Sequence, residues 1–235
     1  MQLMISVVSA AEAGEALAGG AEILDVKNPV EGSLGAQPPS IIRDIKARAA
    51  GRAELSAAIG DMPNLPGTAA LAALGAAICG ADYIKVGLHG PRTESDAMTL
   101  LREVQQAVIG YKTFVIAAAY ADFRRAGTLN PMSLPALAVS VGIRGCLLDT
   151  AIKDGQSLFS FMDAPTLRTF VEQAHKSGLI VGLAGALREE DLKLVRSLGA
   201  DIVGLRSAVC RNRQRNEPLD AARVRQLRQI LVPVV

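Results

Sequence analysis

Asp25-Val26-Lys27-Asn28-Pro29 sets a carboxylate and an amine two residues apart where an apolar run, Ala21 to Val26, gives way to a loop rich in Pro and Gly. In a strand, positions i and i+2 point to the same side, so Asp25 and Lys27 share a face. If that face lines a closed barrel, the amine sits where packed apolar side chains belong. Burial then lowers its pKa from about 10.4, and a neutral amine attacks a carbonyl to form an imine. Arginine cannot stand in for it, because it stays protonated. Lys27 is therefore the candidate nucleophile. Lys85, in Tyr83-Ile84-Lys85-Val86-Gly87, offers a second amine whose charge would depress the first further, and Asp149 with Lys153 offers another carboxylate and amine pair. Asp25 and Asp149 could hold the ammonium groups in place and move protons while an imine forms. Any one of these lysines could be a solvated or ion-paired surface group. Three of them beside two aspartates on one rim favour chemistry.

These residues need elements that bring them together. Short β-branched runs alternate with longer helical patterns eight times. The strands are predicted at Leu3 to Val8, Ile23 to Val26, Ala53 to Ala57, Tyr83 to Val86, Thr113 to Ala118, Gly145 to Leu148, Ile180 to Leu183 and Ile202 to Leu205. The helices are predicted at Ala10 to Ala18, Ser40 to Ala50, Thr68 to Cys79, Ser95 to Ile109, Leu134 to Val141, Ala164 to Ser177, Glu189 to Ser197 and Asp220 to Leu231. Glycines after helices, as in Cys79-Gly80-Ala81-Asp82 and Leu198-Gly199-Ala200-Asp201, mark the boundaries. Strict alternation forces parallel strands with right-handed crossovers. Eight units within 235 residues make an α/β protein with one domain, a (β/α)8 barrel of the TIM type. An open doubly wound sheet is the alternative, but no GxGxxG follows the first strand.

Active sites of such barrels lie at the C-terminal ends of the strands. That end receives Ser9 from the first strand, Asp25 and Lys27 from the second, Lys85 from the fourth, Tyr120 and Asp122 from the fifth, and Asp149 with Lys153 from the sixth. The other four of the seven lysines, Lys46, Lys112, Lys176 and Lys193, fall on helices or at the opposite end. The last two strands run out into Gly182-Leu183-Ala184-Gly185 and Gly204-Leu205-Arg206-Ser207. Phosphate in these barrels commonly rests there on backbone N–H groups and a helix N-terminus. Gly182, Ala184, Gly185 and Gly204 would let it approach the main chain, and Arg206 and Ser207 would add side-chain donors. Glycines there also serve turns. Together with a lysine-bearing mouth they point to a small phosphorylated carbonyl compound as substrate.

Composition removes other classes. Aromatics make up 3% of the chain and the net charge is +2, which argues against nucleic acid as a partner. The arginine-rich segment from Arg206 to Arg228 reads as a solvated loop and helix face interrupted by Glu217 and Asp220. Mean hydropathy is positive at +0.27, yet no stretch of about 18 uninterrupted apolar residues exists to cross a membrane. Cys79, Cys146 and Cys210 are too scattered for a disulfide framework or a zinc site. With only His89 and His175 as histidines, no transition-metal centre is expected. The first residues read as a strand rather than a leader, so a cytoplasmic protein is expected, and a homo-oligomer with it.

Asp25-Val26-Lys27-Asn28-Pro29 with Glu31-Gly32-Ser33-Leu34-Gly35, then Tyr83-Ile84-Lys85-Val86-Gly87, then Asp149-Thr150-Ala151 with Lys153-Asp154-Gly155 resemble the (5-formylfuran-3-yl)methyl phosphate synthase family. The likeness extends over essentially the whole chain, and no charged position of these motifs departs from it. It implies a TIM-barrel lyase that joins two molecules of glyceraldehyde 3-phosphate into 4-(hydroxymethyl)-2-furancarboxaldehyde phosphate, releasing phosphate and water. The furan goes on to methanofuran or an analogue of it. The resemblance further implies that Lys27 is the Schiff-base lysine and Lys85 the proton acceptor, that Asp25, Asp149 and Lys153 assist, and that no cofactor or metal is needed. Two other readings stay open: a Schiff-base aldolase of the deoxyribose-phosphate or transaldolase type, and a barrel that serves only as a binding or scaffold subunit.

Overall fold

The computed structural model describes residues 1–232. Eight parallel strands, β1 (Gln2–Val7), β2 (Ile23–Val26), β3 (Glu54–Asp61), β4 (Tyr83–Gly87), β5 (Phe114–Tyr120), β6 (Gly145–Asp149), β7 (Ile180–Leu183) and β8 (Ile202–Leu205), follow one another around a closed barrel. The barrel is shut by β1 pairing with β8, Leu3 opposite Val203. Around it stand α1 (Ala10–Ala18), α2 (Pro39–Ala49), α3 (Pro66–Ile78), α4 (Glu94–Ala107), α5 (Phe123–Ala126), α6 (Leu134–Val141), α7 (Ala164–Lys176), α8 (Leu192–Ser197) and α9 (Ala221–Leu231). The predicted α/β barrel is the observed fold.

The strand period of two splits the core in two. Outward residues such as Leu3, Ile5, Leu24, Leu55 and Ile84 pack under the helices. Inward residues, among them Met4, Ile23, Tyr83, Ile116, Leu147 and Ile202, fill the barrel itself. Following the same inward rows toward the C-terminal end, apolar gives way to polar: Met4 to Ser6, Ile23 to Asp25, Tyr83 to Lys85, Leu147 to Asp149. These four polar side chains are all buried. An apolar floor thus carries a buried charged layer at the C-terminal end of the barrel.

Three elements depart from the predicted ones. β3 does not stop at Ala57 but continues to Asp61, its register with β4 shifting between Ala58 and Asp61. Gly60 (φ +118°) and an aspartate read as turn residues in sequence, while the backbone keeps pairing with β4 around a bulge. The four-residue helix α5 follows β5 directly, where the sequence suggested only loop. The predicted helix from Glu189 begins as a 3-10 turn, leaving only the six residues of α8 as α-helix. The expected helix N-terminus beside a phosphate is therefore a short acidic turn instead.

Candidate active site

All five side chains predicted to do chemistry line one cavity of about 440 Å³ at the C-terminal mouth of the barrel, with Ser6 as a sixth polar wall. Their pairing crosses the barrel rather than running along one strand. Asp25 Oδ2 accepts a hydrogen bond from Ser6 Oγ at 3.0 Å and an ion-paired one from Lys85 Nζ at 2.7 Å. Lys27 turns to Asp149, whose Oδ2 lies 3.9 Å from its Nζ. The other oxygen of Asp149 accepts from Lys153 Nζ at 2.5 Å and from the Thr150 amide at 2.8 Å. Asp25 and Lys27 do share a face, yet each finds its partner on another strand.

This arrangement separates the roles of the amines. Lys85 has a full carboxylate contact and is held as one half of a buried ion pair. Lys27 has only a distant carboxylate and is 7% exposed. Burial, with Lys85 and Lys153 as like charges nearby, brings its pKa down from 10.5 to about 8, against the opposing pull of Asp149 and Asp25. About one Lys27 in ten is then a free amine at pH 7, against fewer than about one in a thousand for an unperturbed lysine. Burial pushes the Asp149 carboxyl up, but Lys153 and Lys27 outweigh it and hold the group down at about 2. The cluster thus contains a firmly ionised carboxylate beside an amine poised to lose its proton.

The loop after β2 is locked over this mouth by Asp61, which the sequence reading passed over, together with Tyr120 and Asp122, which it placed on this rim without a role. Asp61, at the unforeseen end of β3, accepts from the backbone N–H groups of Ser33 (2.7 Å) and Leu34 (3.3 Å). Its other oxygen accepts from the Tyr120 hydroxyl at the end of β5. Burial and the Asp61 charge raise the Tyr120 phenol well above its usual 10, so it stays a neutral donor. Ser33 Oγ then donates to the Thr150 carbonyl at 2.8 Å, tying the β2 loop to the β6 loop. Asp122 fastens that second loop by accepting from Ala151 (2.7 Å) and Ile152 (3.0 Å) amides. Gly32 lies against Asp61 with φ +135°, a position where a side chain would both strain the backbone and overlap the carboxylate. Recognising β3 as reaching Asp61 was the sequence signal that would have added Asp61 to Tyr120 and Asp122 on this rim.

Of the residues predicted to seat a phosphate, Ala184, Gly185, Gly204, Arg206 and Ser207 line the cavity. Gly182 lies one layer deeper, packed on Leu147, and borders a small void in the barrel floor. Gly185 (φ +105°) and Ala186 (φ +47°) are consecutive left-handed residues, and no protein acceptor takes their N–H groups among the described residues. Arg206 is engaged elsewhere. Its guanidinium donates to both carboxylate oxygens of Glu12 and to the carbonyls of Ser6, Arg215 and Glu217.

Other candidates take structural places. Ser9 caps α1 by accepting from the Glu12 amide at 3.3 Å. His89 stands edge-on to the Tyr120 ring, 5.9 Å between centroids, and does not line the cavity. His175 pairs with Asp201 at 2.9 Å on the outer surface. Cys79, Cys146 and Cys210 are free and buried. Among the described residues no group of three His, Cys, Asp or Glu is placed to hold a metal ion, and no helix is long and apolar enough to cross a membrane.

A sequence model of the family described as 4-HFC-P synthase matches residues 3–228 of the chain. A relative from Methanopyrus kandleri, named (5-formylfuran-3-yl)methyl phosphate synthase, is 50% identical over 217 residues, covering 92% of each chain. A relative of the same name from Methanosarcina mazei is 49% identical over 212 residues, covering 89% of this chain and 91% of its own. Among solved structures, a 3-hexulose-6-phosphate synthase superposes with a TM-score of 0.68 over 99% of this chain and 100% of its own. At 18% identity that likeness speaks for the barrel alone.

Proposed function

The chain belongs to the 4-HFC-P synthase family, and from that premise we propose that it condenses two molecules of glyceraldehyde 3-phosphate, through an imine on Lys27, into 4-(hydroxymethyl)-2-furancarboxaldehyde phosphate. Phosphate and water leave, and the furan feeds methanofuran or an analogue. The observation that carries this reading is the buried Lys27 amine, lowered to about 8 inside a cluster that supplies a second amine and two carboxylates.

Neutral Lys27 attacks the aldehyde carbon of one substrate, and water departs as the C=N bond forms. The imine draws electrons from the neighbouring carbon, so its C–H bond breaks with the proton passing to Lys85, whose own ion-pair proton has first moved to Asp25 Oδ2 2.7 Å away. The Asp25–Lys85 pair thus takes up one proton while the two side chains stay in contact. The electron pair released into the imine expels phosphate from the carbon beyond, and loss of a second C–H proton from the same imine-bound unit supplies the pair that forms an aldol-type C–C bond to the second molecule. Ring closure and loss of water give the aromatic furan, which makes the sequence irreversible. Asp149, 3.9 Å from Lys27 Nζ and 2.5 Å from Lys153 Nζ, moves with Lys153 the protons that imine formation and hydrolysis require. The protein amine is the electron sink, and the chemistry calls on neither redox cofactor nor metal. A substrate phosphate rests on the β7 and β8 loops, where Ala184, Gly185, Gly204 and Ser207 present main chain and small side chains. The reading places the enzyme in the cytoplasm as a homo-oligomer.

Feeding glyceraldehyde 3-phosphate to the purified chain tests the product. A furan absorbance and inorganic phosphate rising in equal amounts are expected. An open-chain sugar phosphate with no phosphate released would mean an ordinary aldolase.

A further inference from the structure

We infer that Arg215, on the far part of the loop that follows β8, forms a second phosphate seat in the mouth, against the β2 loop and apart from the glycines at the ends of β7 and β8. The inference rests on the reading that two phosphorylated molecules meet in this cavity. Arg206, the arginine at the end of β8, has no donor left for either. A guanidinium has five N–H groups, and all five of Arg206 are taken inside the fold.

What Arg206 holds is the backbone of Arg215, whose carbonyl accepts from Arg206 Nε at 2.8 Å. The chain between them leaves the barrel, turns through left-handed Asn212 and Arg213 (φ +52° and +56°), and is pinned by a bridge between Cys210 and Leu219. It returns with Arg215 half-buried on the cavity wall. There Nη2 donates to the Gly32 carbonyl at 3.2 Å. Among the described residues that is the only hydrogen bond of the guanidinium, and no carboxylate pairs with it. Burial lowers its pKa from 12.5 while the Asp149 charge opposes that shift, and an arginine so placed remains a cation.

Its neighbours differ in this respect. Arg223 pairs with Glu189 at 3.1 Å and Arg188 with Glu190 at 3.9 Å. Arg213 also lines the cavity and has no carboxylate partner among the described residues, but it is exposed to solvent where Arg215 is half-buried. Deeper in the cavity three lysines face two carboxylates, leaving one positive charge over, and Arg215 brings a second. A phosphate monoester carries about −1.5 to −2 charges at neutral pH, and a planar fork with free N–H groups is the side chain that binds it bidentately. The β2 loop that Arg215 touches carries Lys27 at its start. A phosphate on Arg215 therefore belongs to a molecule reaching toward the imine from the β2 side. The glycine loops hold the other molecule from β7.

Inorganic phosphate titrated calorimetrically into the full chain reads the site without turnover. Arg215→Ala is expected to weaken phosphate at least tenfold at one of two sites, whereas Arg211→Ala, on the same loop but outside the cavity, leaves both unchanged. Should Arg215→Ala fail to fold, Arg215→Gln keeps a donor toward Gly32, and the same loss is expected of it. Equal phosphate affinity in these variants and the wild type, or no phosphate binding by the wild type, overturns the inference. In kinetics the Arg215 variants should raise KM for glyceraldehyde 3-phosphate by tenfold or more. If phosphate binding depends on Arg215 but borohydride traps no substrate on the wild type, the imine chemistry falls and the anion seat stands. If trapping succeeds and phosphate binding ignores Arg215, the seat falls and the chemistry stands.

Discussion

Lys27 differs from the other lysines in how poorly it is neutralised. Lys85 lies 2.7 Å from Asp25 and Lys153 2.5 Å from Asp149, but Lys27 has only the far oxygen of Asp149 at 3.9 Å. An amine in that position pays for burial without full compensation, and its pKa of about 8 follows. Because only the neutral amine attacks, adduct formation below that pKa should rise about tenfold per pH unit and level off above about 8. Asp149 raises the Lys27 pKa, so Asp149→Asn must lower it. The bend in the profile is expected to move to lower pH, with a plateau reduced about 10²-fold because a proton carrier has been lost. The measurement is the rate of furan formation against pH for the two proteins. A bend that stays put in Asp149→Asn would mean that the two groups are not coupled as their geometry indicates.

At the level of elements, the mouth is shaped by strand ends that hold loops. The Tyr120 hydroxyl on β5 donates to Asp61 on β3 in a partly buried bond, and the second oxygen of Asp61 anchors the β2 loop at Ser33 and Leu34. Gly87, which ends β4, lies beneath that bond. A Cβ there would overlap Tyr120 Oη and come within 3.1 Å of the Gly60 carbonyl. Gly87→Ala should therefore push the hydroxyl off Asp61 and loosen the loop, costing about 1–3 kcal/mol as overpacked sites do. Thermal unfolding checks this, with a lower Tm and faster proteolysis within Asn28 to Gly35 expected. An unchanged Tm would show that the mouth absorbs the methyl group without moving Tyr120. Arg206 does similar work on the other side, binding Glu12 on α1 while it carries the loop that bears Arg215.

Across the whole molecule, the barrel and its charged layer were legible in the sequence for one reason: period. Alternation of strand and helix patterns gave eight units. The period of two within strands put Asp25 with Lys27, and the position of Lys85 and Asp149 at strand ends put them on the same rim. What stayed hidden depends on distance between strands. Nothing along the chain says that Asp25 pairs with Lys85 and Lys27 with Asp149, because β2, β4 and β6 meet only when the barrel closes. Asp61 was hidden because Gly60 beside it reads as a turn, although β3 runs on through a bulge. Among the many arginines after β8, no local pattern separates Arg206, which finds Glu12, from Arg215, which finds no carboxylate. Gly182 was misplaced by one layer because its role in packing on Leu147 requires the barrel interior to be built.

Lys27, the buried cavity amine without a close carboxylate, is the residue that we propose captures a carbonyl compound covalently. Borohydride reduction of the full chain in the presence of glyceraldehyde 3-phosphate, followed by intact and peptide mass measurement, tests this most directly. The expected result is one triose-derived adduct located on Lys27 and absent from Lys27→Ala. No adduct on the wild type, or the same adduct on Lys27→Ala, would contradict it.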